Sequence, residues 1–107
     1  MTFKTGEIWL AQLDPAVGSE IRKTRPCVVV SPNDMNLHMR TVIVAPMTTD
    51  SRPTRFSIPL TFQGKQGLIL LDPLRTLDGV RLVKRLGALR PATLGLTLQT
   101  LQSMFAP

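Results

Sequence analysis

The sequence predicts a mainly β domain, a strongly bent antiparallel sheet or small barrel, followed by one C-terminal helix. Three observations carry this. Nine prolines and seven glycines punctuate a series of short apolar stretches, the rhythm of strands joined by turns. Two of those stretches, CVVVS and TVIVAP, are rich in β-branched residues on neighbouring positions, as in strands covered on both faces. Near the end the apolar period changes: Leu94, Leu98, Leu101 and Phe105 fall at i, i+4, i+7 and i+11, the stripe of an amphipathic helix.

The elements follow in order. EIWLAQL (residues 7–13) is the first strand, closed by a turn at Asp14-Pro15. CVVVS (27–31) and TVIVAP (41–46) are the next two, with the polar NDMNLHMR between them as a loop. RFSIPLTF sets Phe56, Ile58, Leu60 and Phe62 on one face. Pro59 cannot donate to a ladder, which puts this strand at an edge or on a bulge. QGKQG (63–67) is a turn and LILLD (68–72) a buried strand. LRTLD and KRLGAL are two short strands around a turn near Asp78-Gly79. Pro91 suits the first turn of the helix, and Gly95 weakens it by roughly 1 kcal/mol relative to alanine. No linker or repeat divides the 107 residues, so one domain over residues 1–107 is expected.

Composition bounds the class. With 43% hydrophobic residues and a mean hydropathy of +0.11, the chain is an ordered globule and not a disordered tail. Cys27 is the one cysteine; it fits a reducing compartment and the role of a small buried hydrophobe. No apolar run approaches the roughly 18 residues that span a bilayer, and MTFKTGEIWL lacks the pattern of a signal peptide. A cytoplasmic protein without membrane association is expected.

Charge narrows the partner. Thirteen Lys and Arg against seven acids give +6, with a pI near 10.8, and no acid follows Asp78. That balance points to a polyanion, most often a nucleic acid.

Two loops combine reactive groups with rigid support. GSEIRKTRP holds Ser19, Glu20, Arg22, Lys23 and Arg25 just before a strand, and APMTTDS holds Thr48, Thr49 and Ser51 just after one. Arginine presents a planar fork of donors that matches phosphate oxygens. Other chemistries find little support. There is no Gly-rich phosphate loop, and one Cys with one His cannot build a zinc site. His38 reads as a surface histidine, and Asp72 and Asp78 as caps or partners of Arg75 or Arg81. Composition and spacing alone therefore reach no further than a basic, small-barrel nucleic-acid binder.

The motifs together say more. GEIWLAQLDPAVGSEIRKTRPCVVVSPNDMN, then VIVAPMTTD, then LDPLRTLDGVRLVKRLG resemble the MazF/PemK (Kid-like) toxins over nearly the whole chain. The resemblance implies an SH3-like barrel of the CcdB/PemK kind, forming a homodimer. It implies the toxin of a type II toxin–antitoxin pair, a sequence-specific endoribonuclease that cuts single-stranded RNA without ribosome, metal or cofactor. Its products would be 2′,3′-cyclic phosphate and 5′-hydroxyl ends, and its effect an arrest of translation and growth. The catalytic arginine of the family falls on Arg25 and its catalytic threonine on Thr48. A cognate MazE-like antitoxin with an acidic C-terminal segment would cover the basic site.

The chemistry suits these residues. Attack by a 2′-hydroxyl on the adjacent phosphate needs one proton accepted, another donated and a gathering negative charge stabilised. A guanidinium beside phosphorus supplies the last, yet it holds its proton too tightly to be a ready base. The base is thus either Arg25, by the resemblance, or Glu20, a carboxylate in the same loop; Ser19 is a further supporting candidate. Thr48 can donate to a phosphate oxygen. Arg22, Lys23 and Thr49 are candidate RNA contacts, and Arg52, Arg55, Arg75 and Arg85 weaker ones. Four Phe, one Trp and no Tyr argue against binding by base stacking alone. The family commonly carries Gln where Pro73 stands, so its sequence preference does not transfer. Two other readings remain: a CcdB-like inhibitor that binds gyrase without catalysis, and a catalytically silent RNA-binding barrel.

Overall fold

Strands form where the apolar residues alternate or cluster as β-branched runs. A computed structural model describes residues 2–13 and 24–107. Along them run β1 (Glu7–Gln12), β2 (Thr24–Val29), α1 (Asn33–His38), β3 (Thr41–Thr48), β4 (Ser57–Phe62) and β5 (Lys65–Leu70). After these come β6 (Arg75–Asp78), a 3-10 turn (Gly79–Arg81), β7 (Leu82–Ala88) and α2 (Pro91–Phe105). The strand order is β4-β5-β3-β2-β1-β7, with β6 against β3. Every pairing is antiparallel. The result is a strongly curled half-barrel with a C-terminal helix, the predicted class.

β3 is where the sheet bends. It takes β2 through Val44, Ala45 and Pro46. It also pairs with β6 along Thr41–Val44 and with β5 at Met47 and Thr48. Ala45 and Pro46 fall between those last two partners, and Pro46 has no N–H to offer a ladder. The two halves have separate cores. Trp9, Cys27, Val29, Val44 and Leu82 belong to one, and Ile8, Val28, Ala45, Ile69 and Leu71 to the other. Adjacent residues of β1 and β2 thus serve opposite faces, the period of 2 that a strand imposes, which is why CVVV carries no polar position.

The edge assignment of Pro59 holds, since β4 ends the sheet. The turn after it is shorter than residues 63–67: Gln63 and Gly64 alone make it, with φ of 52° and 77°, and β5 starts at Lys65. Two residues at positive φ suit the right-handed twist of a tight hairpin. The polar loop expected between β2 and β3 contains α1. Its buried Asn36 side chain accepts from the Ser31 hydroxyl and donates to the Ser31 carbonyl at 3.0 Å. That latch satisfies a polar residue where periodicity offers no signal.

Helix α2 docks on a rotated face. Leu94, Leu98 and Leu101 are half-buried as expected, but Phe105 is 73% exposed and Met104 packs on the second core instead. The centre of the contact is Thr97, wholly buried, whose hydroxyl donates to the Thr93 carbonyl at 2.8 Å. A hydroxyl satisfied within its own helix lets a small residue sit at the closest approach. Gly6, at φ 89°, serves the same approach from the sheet, because a Cβ there would stand 2.9 Å from Leu94 Cδ2. Among the described residues no helix is long and apolar enough to cross a membrane.

Candidate functional site

The site grows from the ends of β2 and β3. Cys27, Val28 and Val29 pair with Pro46, Ala45 and Val44. Continued two residues further, that register sets Arg25 opposite Thr48. On its other side Thr48 pairs with Leu68 of β5. Gly67 allows this closeness: a Cβ there would lie 2.8 Å from the Thr48 carbonyl oxygen.

A cleft of about 510 Å³ opens over this row. Arg25, Thr48, Thr49 and Asp50 line it above the apolar Pro26, Met47 and Leu68. Its far wall is the β4–β5 hairpin, through Phe62, Gln63 and Lys65. Thr48 Oγ1 accepts the Asp50 backbone N–H at 3.1 Å. A hydroxyl has one proton to donate, so this turn occupies a lone pair and leaves the proton free for a ligand oxygen.

The other predicted residues separate. Arg75 lies on β6, where its Nη2 donates to the Leu13 carbonyl at 2.8 Å. Arg81 does the same for the Gln12 carbonyl at 3.2 Å, so two guanidiniums brace the end of β1. Arg85 Nε donates to Glu7 Oε2 at 2.8 Å. Burial raises the Glu7 carboxyl, but bonds from the Lys4 N–H, Arg85 and Trp9, with the Arg85 charge, hold it below its usual value. Arg55 stacks over the Phe56 ring at 4.9 Å, and Arg52 is exposed in the β3–β4 connection; neither lines the cleft. Ser19, Glu20, Arg22 and Lys23 lie outside the described residues.

The remaining chemistry is ordinary. Burial pushes the Cys27 thiol up to about 12, against the pull of the Arg75 and Arg25 charges, so it stays protonated and is no nucleophile at neutral pH. His38 sits on α1, exposed, with Nδ1 2.9 Å from the Asp34 carbonyl. Asp78 caps the 3-10 turn through Val80 N–H at 3.0 Å. Pro73 follows a cis peptide bond and is exposed in the β5–β6 connection. Among the described residues no three His, Cys, Asp or Glu converge as a metal site requires.

The family model for the PemK-like, MazF-like toxin of type II toxin-antitoxin system matches residues 4–105. The chain belongs to this family. It is also similar to Endoribonuclease PemK of Escherichia coli, 37% identical over 78 residues, which is 68% of this chain and 59% of the relative. The match thus spans less than two thirds of that curated relative's length. Two solved structures share the fold. One is an endoribonuclease in complex with its cognate antitoxin from Mycobacterial species (TM-score 0.82, 23% identity, 99% of this chain and 98% of that one). The other is MazF (Form-I) from Deinococcus radiodurans (TM-score 0.78, 24% identity, 97% and 96%).

Within a PemK-like chain, sequence reasoning reached Arg25, Thr48 and Thr49 but missed Asp50, Phe62, Gln63 and Lys65. The hairpin residues become part of the cleft only because β5 lies beside β3. That neighbourhood leaves no local mark in the sequence. Asp50 was within reach, standing two residues past Thr48 in the loop already singled out.

Proposed function

We propose that the protein is the endoribonuclease toxin of a type II toxin–antitoxin pair and cuts single-stranded RNA in the cleft between β2, β3 and the β4–β5 hairpin. The observation that carries this is the placing of Arg25 and Thr48 on the lining of one cleft, in a family of such toxins. In the reaction the 2′-oxygen bonds to phosphorus, the bond to the 5′-oxygen breaks, and the electron pair leaves with that oxygen. A base takes the proton of the 2′-hydroxyl and the 5′-oxygen gains one, leaving a 2′,3′-cyclic phosphate and a 5′-hydroxyl. Arg25 faces the charge that gathers on the phosphate oxygens, and Thr48 donates its hydroxyl to one of them. Arg25, Glu20 and Asp50, the carboxylate on the described lining, are the alternatives for the base.

The donors are guanidinium and hydroxyl, so the reaction runs without a metal ion. The active form is a homodimer in the cytoplasm, held in check by a MazE-like antitoxin. Its acidic segment competes with RNA for the basic cleft, by the same charge that attracts the substrate. Unchecked, the toxin cuts messages at a short sequence and stops translation.

The test is cleavage of a long single-stranded RNA in EDTA by wild type, Arg25→Ala and Thr48→Val, with the new ends mapped. Wild type yields discrete cuts bearing 5′-hydroxyls. Loss of the Arg25 donor lowers the rate about 10²–10³-fold. Intact RNA with folded wild type overturns the proposal and leaves RNA binding without turnover, or gyrase inhibition, to be assayed.

A further inference from the structure

The far wall of the cleft holds three side chains that this chemistry does not use. Gln63 is the one non-glycine among the described residues at positive φ, 52°. A left-handed residue other than glycine costs about 1–2 kcal/mol, and such conformations gather where a ligand is held. A two-residue turn of this kind favours Asn or Gly at the first position, yet a longer amide stands there, exposed on the cleft lining. Lys65 follows, also exposed, with no ion-pair partner among the described residues.

The hairpin is held firmly enough to read a ligand. Its ladder continues to the pair Phe62↔Lys65. Leu60 and Phe62 pack on the second core, and Phe62 reaches Gly87 on β7. Nothing stands within 4 Å of the Cβ position at Gly64, so the tip is open. Arg25, Thr48 and Leu68 form a row across three strands, and Lys65 lies three residues along from Leu68. Counted along the curled sheet, two strand spacings and three residue rises put the Arg25 and Lys65 backbones at most roughly 14 Å apart. Both residues line the one cleft, and that separation is within reach of two long side chains turned into it to bracket a nucleotide step with a phosphate at each end.

We propose that the β4–β5 hairpin is a second nucleotide subsite, in which Lys65 holds the phosphate next to the one at Arg25 and the Gln63 amide reads the edge of the base between them. The subsite rests on the RNA-cleaving reading above. An amide offers two donors and an acceptor, which discriminates bases, whereas Lys65 contributes affinity without sequence.

The test compares wild type, Lys65→Ala and Gln63→Gly; glycine keeps the left-handed turn and removes the amide. Cut positions are mapped on a long RNA, and binding to an all-2′-deoxy strand of the mapped site is measured against salt. Loss of one phosphate contact lowers the slope of log K against log salt by about 0.7 in Lys65→Ala. Gln63→Gly loses about tenfold in base discrimination at one position beside the cut. Wild type that cuts, with Lys65→Ala keeping its slope and Gln63→Gly its cut spectrum, overturns the subsite alone. A changed slope with an unchanged spectrum overturns the base-reading role of Gln63. Wild type that leaves RNA whole overturns the cleavage reading and the subsite together.

Discussion

Gly67→Ala is the smallest change that reaches the site through the backbone. The added methyl stands 2.8 Å from the Thr48 carbonyl oxygen and 3.6 Å from its carbon. Non-bonded heavy atoms settle at about 3.5 Å or more, so β5 and β3 must part by roughly half an ångström. The obstacle is main chain, which cannot rotate away as a flexible side chain does. Overpacking of this kind costs about 1–3 kcal/mol, read as a lowered urea midpoint with unchanged slope. The same shift moves Thr48 relative to Arg25. A misplacement of 1 Å can cost about 10²-fold in rate, so a half-ångström shift is expected to slow single-turnover cleavage by about tenfold. Gly95→Ala is the control. It lies on α2 with open space at its Cβ position and should stabilise by about 1 kcal/mol with an unaltered rate. Wild-type stability and rate in Gly67→Ala would refute the claim that this glycine sets the distance between β5 and Thr48.

Three further outcomes follow from the same contacts. Glu7 has its carboxyl held below the usual value in the folded state, so its contribution is present above the unfolded value and is lost as pH falls through the folded one. The stability gap between wild type and Glu7→Gln, measured by urea unfolding from neutral to acid pH, should therefore close on acidification. Cys27, its thiol pushed up to about 12, should resist iodoacetamide at pH 8 in the native state and react in denaturant, with mass spectrometry as the readout. Arg75→Met removes the donor to the Leu13 carbonyl while keeping a long apolar stem. It should lower stability by about 1–3 kcal/mol and leave the salt slope of RNA binding unchanged, since Arg75 acts as a brace.

The fold was legible where a residue's neighbours in sequence are also its neighbours in the sheet. CVVV, the alternation of Ile58, Leu60 and Phe62 and the edge position of Pro59 all obey local period and ladder rules, whereas Phe56, expected on the same face, lies in the turn before β4 under Arg55. Legibility failed where a contact is decided across the molecule. Thr97 and Met104 replace Phe105 on the buried side of α2 because the helix settles against Gly6 and the second core, which hydropathy cannot anticipate. The Ser31–Asn36 latch makes a helix of a segment whose polarity reads as loop. At the site, Arg25 and Thr48 were reached through motifs, and their meeting is a consequence of β2–β3 register.

Net charge shows the same divide more sharply. Read from sequence, all thirteen cations count alike toward +6. In the fold those among the described residues do different work. Arg75 and Arg81 hold backbone carbonyls at the end of β1, and Arg85 is held by Glu7. Arg25 and Lys65 instead stand on the lining of the cleft. A cation already bonded to a carbonyl or carboxylate must give that bond up before it can serve a phosphate, and a buried acceptor left bare costs about 1–3 kcal/mol. Braces therefore make poor phosphate contacts however basic the chain is. Arg25 and Lys65, whose side chains carry no such bond among the described residues, line the cleft where Thr48 presents its hydroxyl, so a polyanion seated there would meet those two without displacing a brace.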